Sequence, residues 1–425
     1  MIRRDTLAGS ALAVLVLLGA TLTAPTKAAG VPASFDCGKA ESTVEKMICA
    51  YAVLRWNDLA LSRSYVAARQ ATSGPARDDL VLAQRDWVHE RGRQCIADRT
   101  FAELSEVSTE IGRQAYDCLN SSYLTRRLRL HEVAGGTLSS DTLREIDLTP
   151  IAAARPEIAD GGEVRISAIR VSPDGTMLAI LLPSLELDGP DQAWLYRVAD
   201  GRLTAATPMP DPQQPHPDGT PMLIGAMAWQ GDTLYVTMTE WGGAGVPAPH
   251  AVYAAGRGQS TRLEAAPAAV AALLAADGEP AGIASDGLTA DDTESPDALT
   301  GNDDFLAWIN DLGHGTVELK MRKRAAGTPA YLVAWGGWAL ASYLFDADRS
   351  RLVYPADTGL AVLDMATRHE RRIAGTSAGD RPYAISNASN LIVWSTRNAC
   401  GDELLTEQDE AAPAHLCLAY LEKAQ

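Results

Sequence analysis

Beyond its first thirty residues the chain has no second long apolar run, no C-x-x-C cysteine pair and no cluster of histidines. The first absence excludes a membrane-spanning helix in the body of the protein, and the other two argue against a structural zinc site. Catalytic signatures are missing too. None of His89, His131, His216, His250, His314, His369 and His415 falls in H-E-x-x-H. The closest approach to a G-x-S-x-G elbow, "GIASDG" at Gly282–Gly287, is one residue out of step, and there is no phosphate-cradling or dinucleotide-binding glycine turn. The residues therefore nominate no catalytic, cofactor-binding or metal-binding group, and a protein that binds is expected rather than an enzyme. Positive charge is scarce as well. The formal net charge is −17, and it is unevenly spread: residues 31–135 carry 14 basic against 14 acidic side chains, residues 136–425 carry 20 against 39. That balance argues against a nucleic-acid partner and permits attraction to cationic proteins or metal ions.

What is present begins with a leader. Arg3 and Arg4 precede an apolar stretch from Leu7 to Leu22 and small residues at Ala28 and Ala29. This is the pattern of a signal peptide over residues 1–29, so a soluble periplasmic or secreted protein with no transmembrane span is expected after its removal. In an oxidising space the six cysteines, Cys37, Cys49, Cys95, Cys118, Cys400 and Cys417, read as disulfides that close within each end of the chain. The remaining length allows two or three domains.

Residues 34–132 read as helical. Ser42 and Glu45 form a capping box opening a short helix. Leu54, Leu61, Tyr65 and Ala68 recur at helical steps to about Thr72, where "SGP" stops the pattern. A third helix carries Leu80, Gln84, Trp87, Val88, Arg91 and Cys95 along one face, with Trp87 and Val88 inward and Asp86, Glu90 and Arg93 in water. A fourth region runs past Leu104, Ile111, Cys118, Tyr123 and Leu130 to "AGG", with Gly112 as its possible dividing point. The joint spacing of the four N-terminal cysteines with Asp58, Tyr65, Gln84, Arg85, Trp87, Arg91, Tyr123 and Arg126 resembles the LprI-type lysozyme-inhibitor domain family. Asn57 and Gly92 depart from it, standing where many members carry an apolar and an acidic residue. The resemblance implies an exported helical binding domain without catalytic residues, and a protein partner that is lysozyme or another envelope protein. Trp87, Tyr65 and Tyr123 are expected in the core; Asp58, Arg85, Arg91 and Arg126 are expected in internal ion pairs or on solvated faces.

Four cysteines allow three pairings. Local bridges, Cys37–Cys49 and Cys95–Cys118, are favoured. In an unbroken antiparallel helix from Phe101, however, Cys118 would lie on the order of 25 Å along the axis at 1.5 Å per residue, far from Cys95. Local pairing thus requires a break; otherwise Cys49–Cys95 with Cys37–Cys118 is the better solution.

After a linker at 133–142, residues 143–425 change to short apolar runs separated by turn residues. A two-part unit recurs five times. Its first part is a turn and strand, at Ser172–Leu181, Trp229–Met238, Asn302–Ile309, Phe345–Tyr354 and Asn387–Ser395. Its second is a strand or hairpin, at Ala193–Ala205, Ala251–Leu263, Val317–Leu332, Leu360–Ile373 and Cys417–Ala424. First parts recur at steps of about 40 to 70 residues, which with insertions suits the ~40–50 residues of a propeller blade and suggests a β-propeller of about five or six blades, completed by a strand from Arg144–Ala152. The Ser172-Pro173-Asp174-Gly175 turn also resembles that of TolB-like and WD-type propellers. Unequal repeats would instead favour paired β-sandwiches. Cys400 and Cys417 are read as pinning a polar hairpin loop, and the acidic stretch Ser285–Asp304 as a solvated insertion without calcium-loop spacing. Of the tryptophans, Trp241, Trp335 and Trp338 sit in Gly-rich stretches read as rim loops, the first places to look for binding. The expected fold class is α+β and multidomain: a disulfide-braced helical domain followed by an all-β, propeller-like one. The expected function is an envelope binding protein acting through the first, the alternative being a propeller hydrolase or lyase on an envelope glycan or peptide.

Overall fold

The computed structural model describes residues 31–421 apart from 155–158, 161–162, 184–190, 208–221, 241–250, 257–258, 279–296, 326–327, 347–349, 387–388 and 406–413. The leader lies outside the described residues, as does most of the acidic stretch. Five helices come first: α1 (Thr43–Ala50), α2 (Ala52–Ala71), α3 (Gly74–Cys95), α4 (Phe101–Leu104) and α5 (Glu110–Val133). The capping box is present at α1: Ser42 accepts from the Glu45 amide, and Glu45 reaches back to the Ser42 amide at 2.9 Å. Ser73 precedes α3 in an extended conformation without a side-chain cap bond, and the first turn holds Pro75, where a missing N–H costs nothing. The core unites Met47, Ile48, Leu54, Leu61, Leu80, Leu104, Leu119, Tyr123 and Leu130.

The cysteines pair locally, Cys37 with Cys49 and Cys95 with Cys118, at Cα separations of 5.6 and 5.4 Å. The break that the second bridge requires lies at 105–109, between α4 and α5, and not at Gly112. Gly112 sits in the first turn of α5, where its amide donates to the capping Thr109 hydroxyl. A Cβ there would meet the Glu106 carbonyl oxygen at 2.2 Å, so the glycine permits the tight approach of the loop rather than the break itself. A second correction concerns α3: Val88 points outward, 42% exposed, while Trp87 packs half-buried against the core. One turn carries Trp87 and Arg91 toward α5, and that rotation leaves Val88 on the solvent side.

The segment read as a linker is itself structural. β1 (Thr137–Leu138) and β2 (Ser140–Glu145) precede a short helix, α6 (Thr149–Ala154), and a two-stranded ribbon, β3 (Ala159–Asp160) with β4 (Glu163–Val164). Five sheets follow in chain order. The first is β5 (Ala168–Val171), β6 (Met177–Leu182), β7 (Gln192–Arg197) and β8 (Leu203–Ala205). The second is β9 (Met222–Gln230), β10 (Thr233–Glu240), β11 (Ala251–Gly256) and β12 (Gln259–Leu263), with α7 (Ala268–Gly278) packed on β9. The third is β13 (Asp297–Gly301), β14 (Phe305–Asp311), β15 (Thr316–Lys323) and β16 (Tyr331–Gly337). The fourth is β17 (Leu344–Asp346), β18 (Arg351–Ala356), β19 (Gly359–Asp364) and β20 (His369–Ile373). The fifth is β21 (Arg381–Ile385), β22 (Leu391–Thr396) and β23 (His415–Leu421).

Each sheet is an antiparallel meander in sequence order, the arrangement of a propeller blade. Shared apolar clusters join the first sheet to the second, the third to the fourth, the fourth to the fifth, and the fifth back to the first. The fourth strand of the fifth sheet comes from the start of the region: β2 lies antiparallel to β23, Glu145 opposite Cys417. The expected closing strand therefore exists but is displaced, for residues 149–154 are helical. β1 adds in parallel to the outer edge of the fourth sheet, Thr137 opposite Arg372. The acidic stretch also needs correcting at its end, since Asp297–Gly301 is the strand β13. The Ser-Pro-Asp-Gly turn is built locally: Ser172 donates to Asp174 at 2.7 Å and accepts from the Met177 amide. Gly175 has φ +73°, and a Cβ on it would strike Ser389 of the fifth sheet at 2.0 Å. Cys400–Cys417 ties β23 to the turn after β22.

Candidate functional site

The family-framework residues lie between α2, α3 and α5. Asp58, 7% exposed, accepts from the Ser34 amide at 2.8 Å and from the Tyr123 hydroxyl at 3.0 Å. Arg91, buried, donates to that same hydroxyl and stacks on Trp87 at 4.7 Å. Trp87 meets Tyr123 edge-on and donates to Ser122. Arg126 reaches Gln84 at 2.9 Å. Burial, foremost, pushes the Tyr123 phenol far up, so it stays protonated and links the carboxylate to the guanidinium. Tyr65 is half-buried beside Arg69, and Arg85 is exposed. Apart from Arg85, this set turns inward and locks three helices together. Asn57 is buried too and donates to Asn120 at 2.6 Å, which gives a polar residue at that position an interior partner. Gly92 faces Val44 of α1, where an added Cβ would make an ordinary contact at 3.5 Å.

The three tryptophans read as rim loops fall differently. Trp335 lies within β16, half-buried against the core of the third and fourth sheets, and not in a loop. The buried pair Val333 and Ala334 precedes it in the strand, and Trp335 packs beside them on that core. Trp338 is 47% exposed on a short 3-10 turn, Trp338–Ser342. Trp241 lies outside the described residues.

The most elaborate polar constellation joins the helical module to the propeller-like one. Trp56, Ala60 and Arg63 recur at helical spacing on α2, and Arg127 and His131 four apart on α5, so each set shares a face. Val31, Trp56 and Ala60 enter the apolar cluster of the third and fourth sheets. Asp357, in the turn after β18, accepts from the Trp56 indole and the Arg127 guanidinium, both at 2.8 Å. Glu370 of β20 accepts from Tyr354 at 2.6 Å and lies 3.6 Å from His131 and 4.0 Å from Arg127. Arg63 donates to the Leu332 carbonyl at 2.8 Å. Arg127 is 2% exposed, so its charge is tolerated only because both carboxylates face it. Burial, the largest influence, lowers the proton affinity of His131; nearby Arg127 and Arg372 add to this and Glu370 opposes it. Glu370 is raised by its burial but held below the ordinary carboxylate value by His131, Arg127 and the Tyr354 hydrogen bond. Sequence reasoning missed these residues. Trp56 and Asp357 are 301 positions apart, and the only local signal was the spacing of Trp56–Arg63 and Arg127–His131.

Residues 36–130 match the family described as "Lysozyme inhibitor LprI". The helical module carries an LprI domain. Its four cysteines form the two bridges described above, and its α2–α5 face is the one that docks on the sheets. No curated protein matches the chain. Solved structures of similar shape include the AfRom2 CNH domain, at 7% identity over 60% of this chain and 81% of that one, TM-score 0.22. A gluconolactonase from Xanthomonas campestris is 13% identical over 60% and 72%, TM-score 0.21. A thermostable family-43 glycoside hydrolase is 10% identical over 59% and 88%, TM-score 0.24. At scores this low none of them bears on function.

Proposed function

We propose that this protein is an exported envelope binding protein whose LprI domain engages a lysozyme-type protein and slows its action. The observation that carries the reading is the family match over residues 36–130. Two further features support it. All six cysteines are bridged, as suits an oxidising compartment. The acidic surplus belongs to the region after residue 135, which gives the cationic partner an electrostatic approach that the charge-balanced LprI domain lacks.

Docking on the sheets covers Trp56, Arg127 and His131, so the partner must approach the opposite side. There α3 presents Leu82, 53% exposed, with Val88, Arg85 and His89 around it. A lysozyme turbidity assay with the full mature chain tests the reading: lysis slows at micromolar protein, and the effect weakens as salt rises. A Leu82→Asp, Val88→Asp double variant should lose inhibition while keeping its melting temperature, because both side chains face solvent. Lysis at an unchanged rate in the presence of the wild-type chain would sink the proposal.

A further inference from the structure

The seam between the modules holds an open cleft of about 530 Å³, lined by Arg63, Val66 and Gln70 of α2, Tyr331 of β16, and Arg368 and His369 at the start of β20. That volume lies within the ~300–1,000 Å³ common for small-ligand sites. Its electrostatics run against the rest of the molecule. In a chain of net charge −17, this cleft collects two guanidiniums on one aromatic ring, Arg63 at 4.6 Å and Arg368 at 4.8 Å from the Tyr331 centroid. The two cationic centres are thus within about 10 Å of each other, a separation at which like charges repel measurably unless an anion intervenes.

The neighbouring carboxylates are engaged elsewhere. Asp357 serves Trp56 and Arg127; Glu370 serves Tyr354, His131 and Arg127 at close range and feels Arg63 only from further off. Among the described residues no carboxylate lies within 4.0 Å of Arg63 or Arg368. The Arg63 guanidinium is held by a carbonyl, and the Arg368 backbone is fixed in the turn that aims its side chain at Tyr331. The Leu332 carbonyl fixes the Arg63 fork, and the Arg368 backbone sits at φ +58°, a conformation uncommon for a side-chain-bearing residue and stabilised by its amide bonding to Asp364. Val66, 49% exposed, supplies an apolar wall opposite the tyrosine.

We infer that this seam cleft binds a small organic anion, its carboxylate or phosphate engaging Arg63 and Arg368 and its apolar body against Val66. Because α2 supplies one arginine and the fourth sheet the other, the ligand bridges the modules. The inference is independent of any action on lysozyme.

Saturation-transfer NMR on the full chain tests it with a matched pair, N-acetyl-leucine and N-acetyl-leucinamide, which differ only in the carboxylate charge, and with inorganic phosphate titrated separately by the shift in melting temperature. Binding of the acid but not the amide assigns the cleft to carboxylates, and a phosphate response without an acid response assigns it to phosphate. In either case Kd should rise at least tenfold in the R63Q/R368Q variant. The single variant Arg368→Gln, on an exposed turn outside the interface contacts, should show a smaller loss with unchanged folding. Equal binding of acid and amide, no response to either anion, or undiminished binding by the double variant would overturn the inference.

Discussion

At the scale of single residues, Arg127 and Asp357 show how a buried charge is tolerated. The guanidinium is shut off from water, while its carboxylate partner is 36% exposed. Replacing Asp357 by Asn should therefore cost less than the ~3–5 kcal/mol of a fully buried pair, about 2 kcal/mol, because water and Glu370 compensate in part. The urea midpoint of the variant measures it. His131 gives a pH dependence. Its folded-state proton affinity is depressed below the ordinary value near 6.5, so the unfolded chain takes up the proton more readily. Its contribution to stability is then complete above about pH 6.5 and is lost as pH falls through that value toward the depressed folded one. Denaturation profiles between pH 7.5 and 5 should flatten in His131→Gln. A slope unchanged by that substitution would remove His131 from the account.

Among elements, the break between α4 and α5 decides the disulfide pattern. The need for a break follows from helix geometry alone, but its position at 105–109 depends on Thr109 capping α5 and on the loop carbonyl of Glu106 folding back over Gly112. Gly112→Ala should therefore destabilise the helical module by about 1–3 kcal/mol through a backbone clash, read out as a lowered melting temperature with both disulfides intact. The sheets teach a related lesson. The recurring unit reaches the second, third and fourth strands of the first four sheets, but in the fifth it holds only β22 and β23, the fourth strand being β2. The first strands, β5, β9, β13, β17 and β21, escaped it. β17 has three residues, β21 carries Arg381 and Pro382, and β13 opens on Asp297 and closes on Gly301, so these are too short or too polar to show a period-2 pattern. Val88 was misplaced for a similar reason. α3 is so polar that its apolar residues define no clear stripe, and only packing against α5 chose which side faces inward.

For the whole molecule, the interface makes the two modules one cooperative unit. Trp56 and Ala60 share a core with the third and fourth sheets, and β1 and β2 weave the segment after α5 into the fourth and fifth. Calorimetry of the full chain should show a single transition. Trp56→Ala, which removes a 5%-exposed indole and its bond to Asp357, should split it into two, with the LprI domain melting first. The sequence by itself determined the two-module order and the recurring strand unit, and it narrowed the four N-terminal cysteines to two pairings, because each rests on contacts between residues near in the chain: caps, helical steps, turns and hairpins; the structure chose the local pairs. Only the tertiary structure decided that β2 completes the fifth sheet, that the framework residues turn inward, and that Arg127, His131, Asp357 and Glu370 meet. Those contacts join residues hundreds of positions apart, and no local pattern encodes which distant carboxylate will neutralise a given arginine until the surfaces that bury both have been packed together.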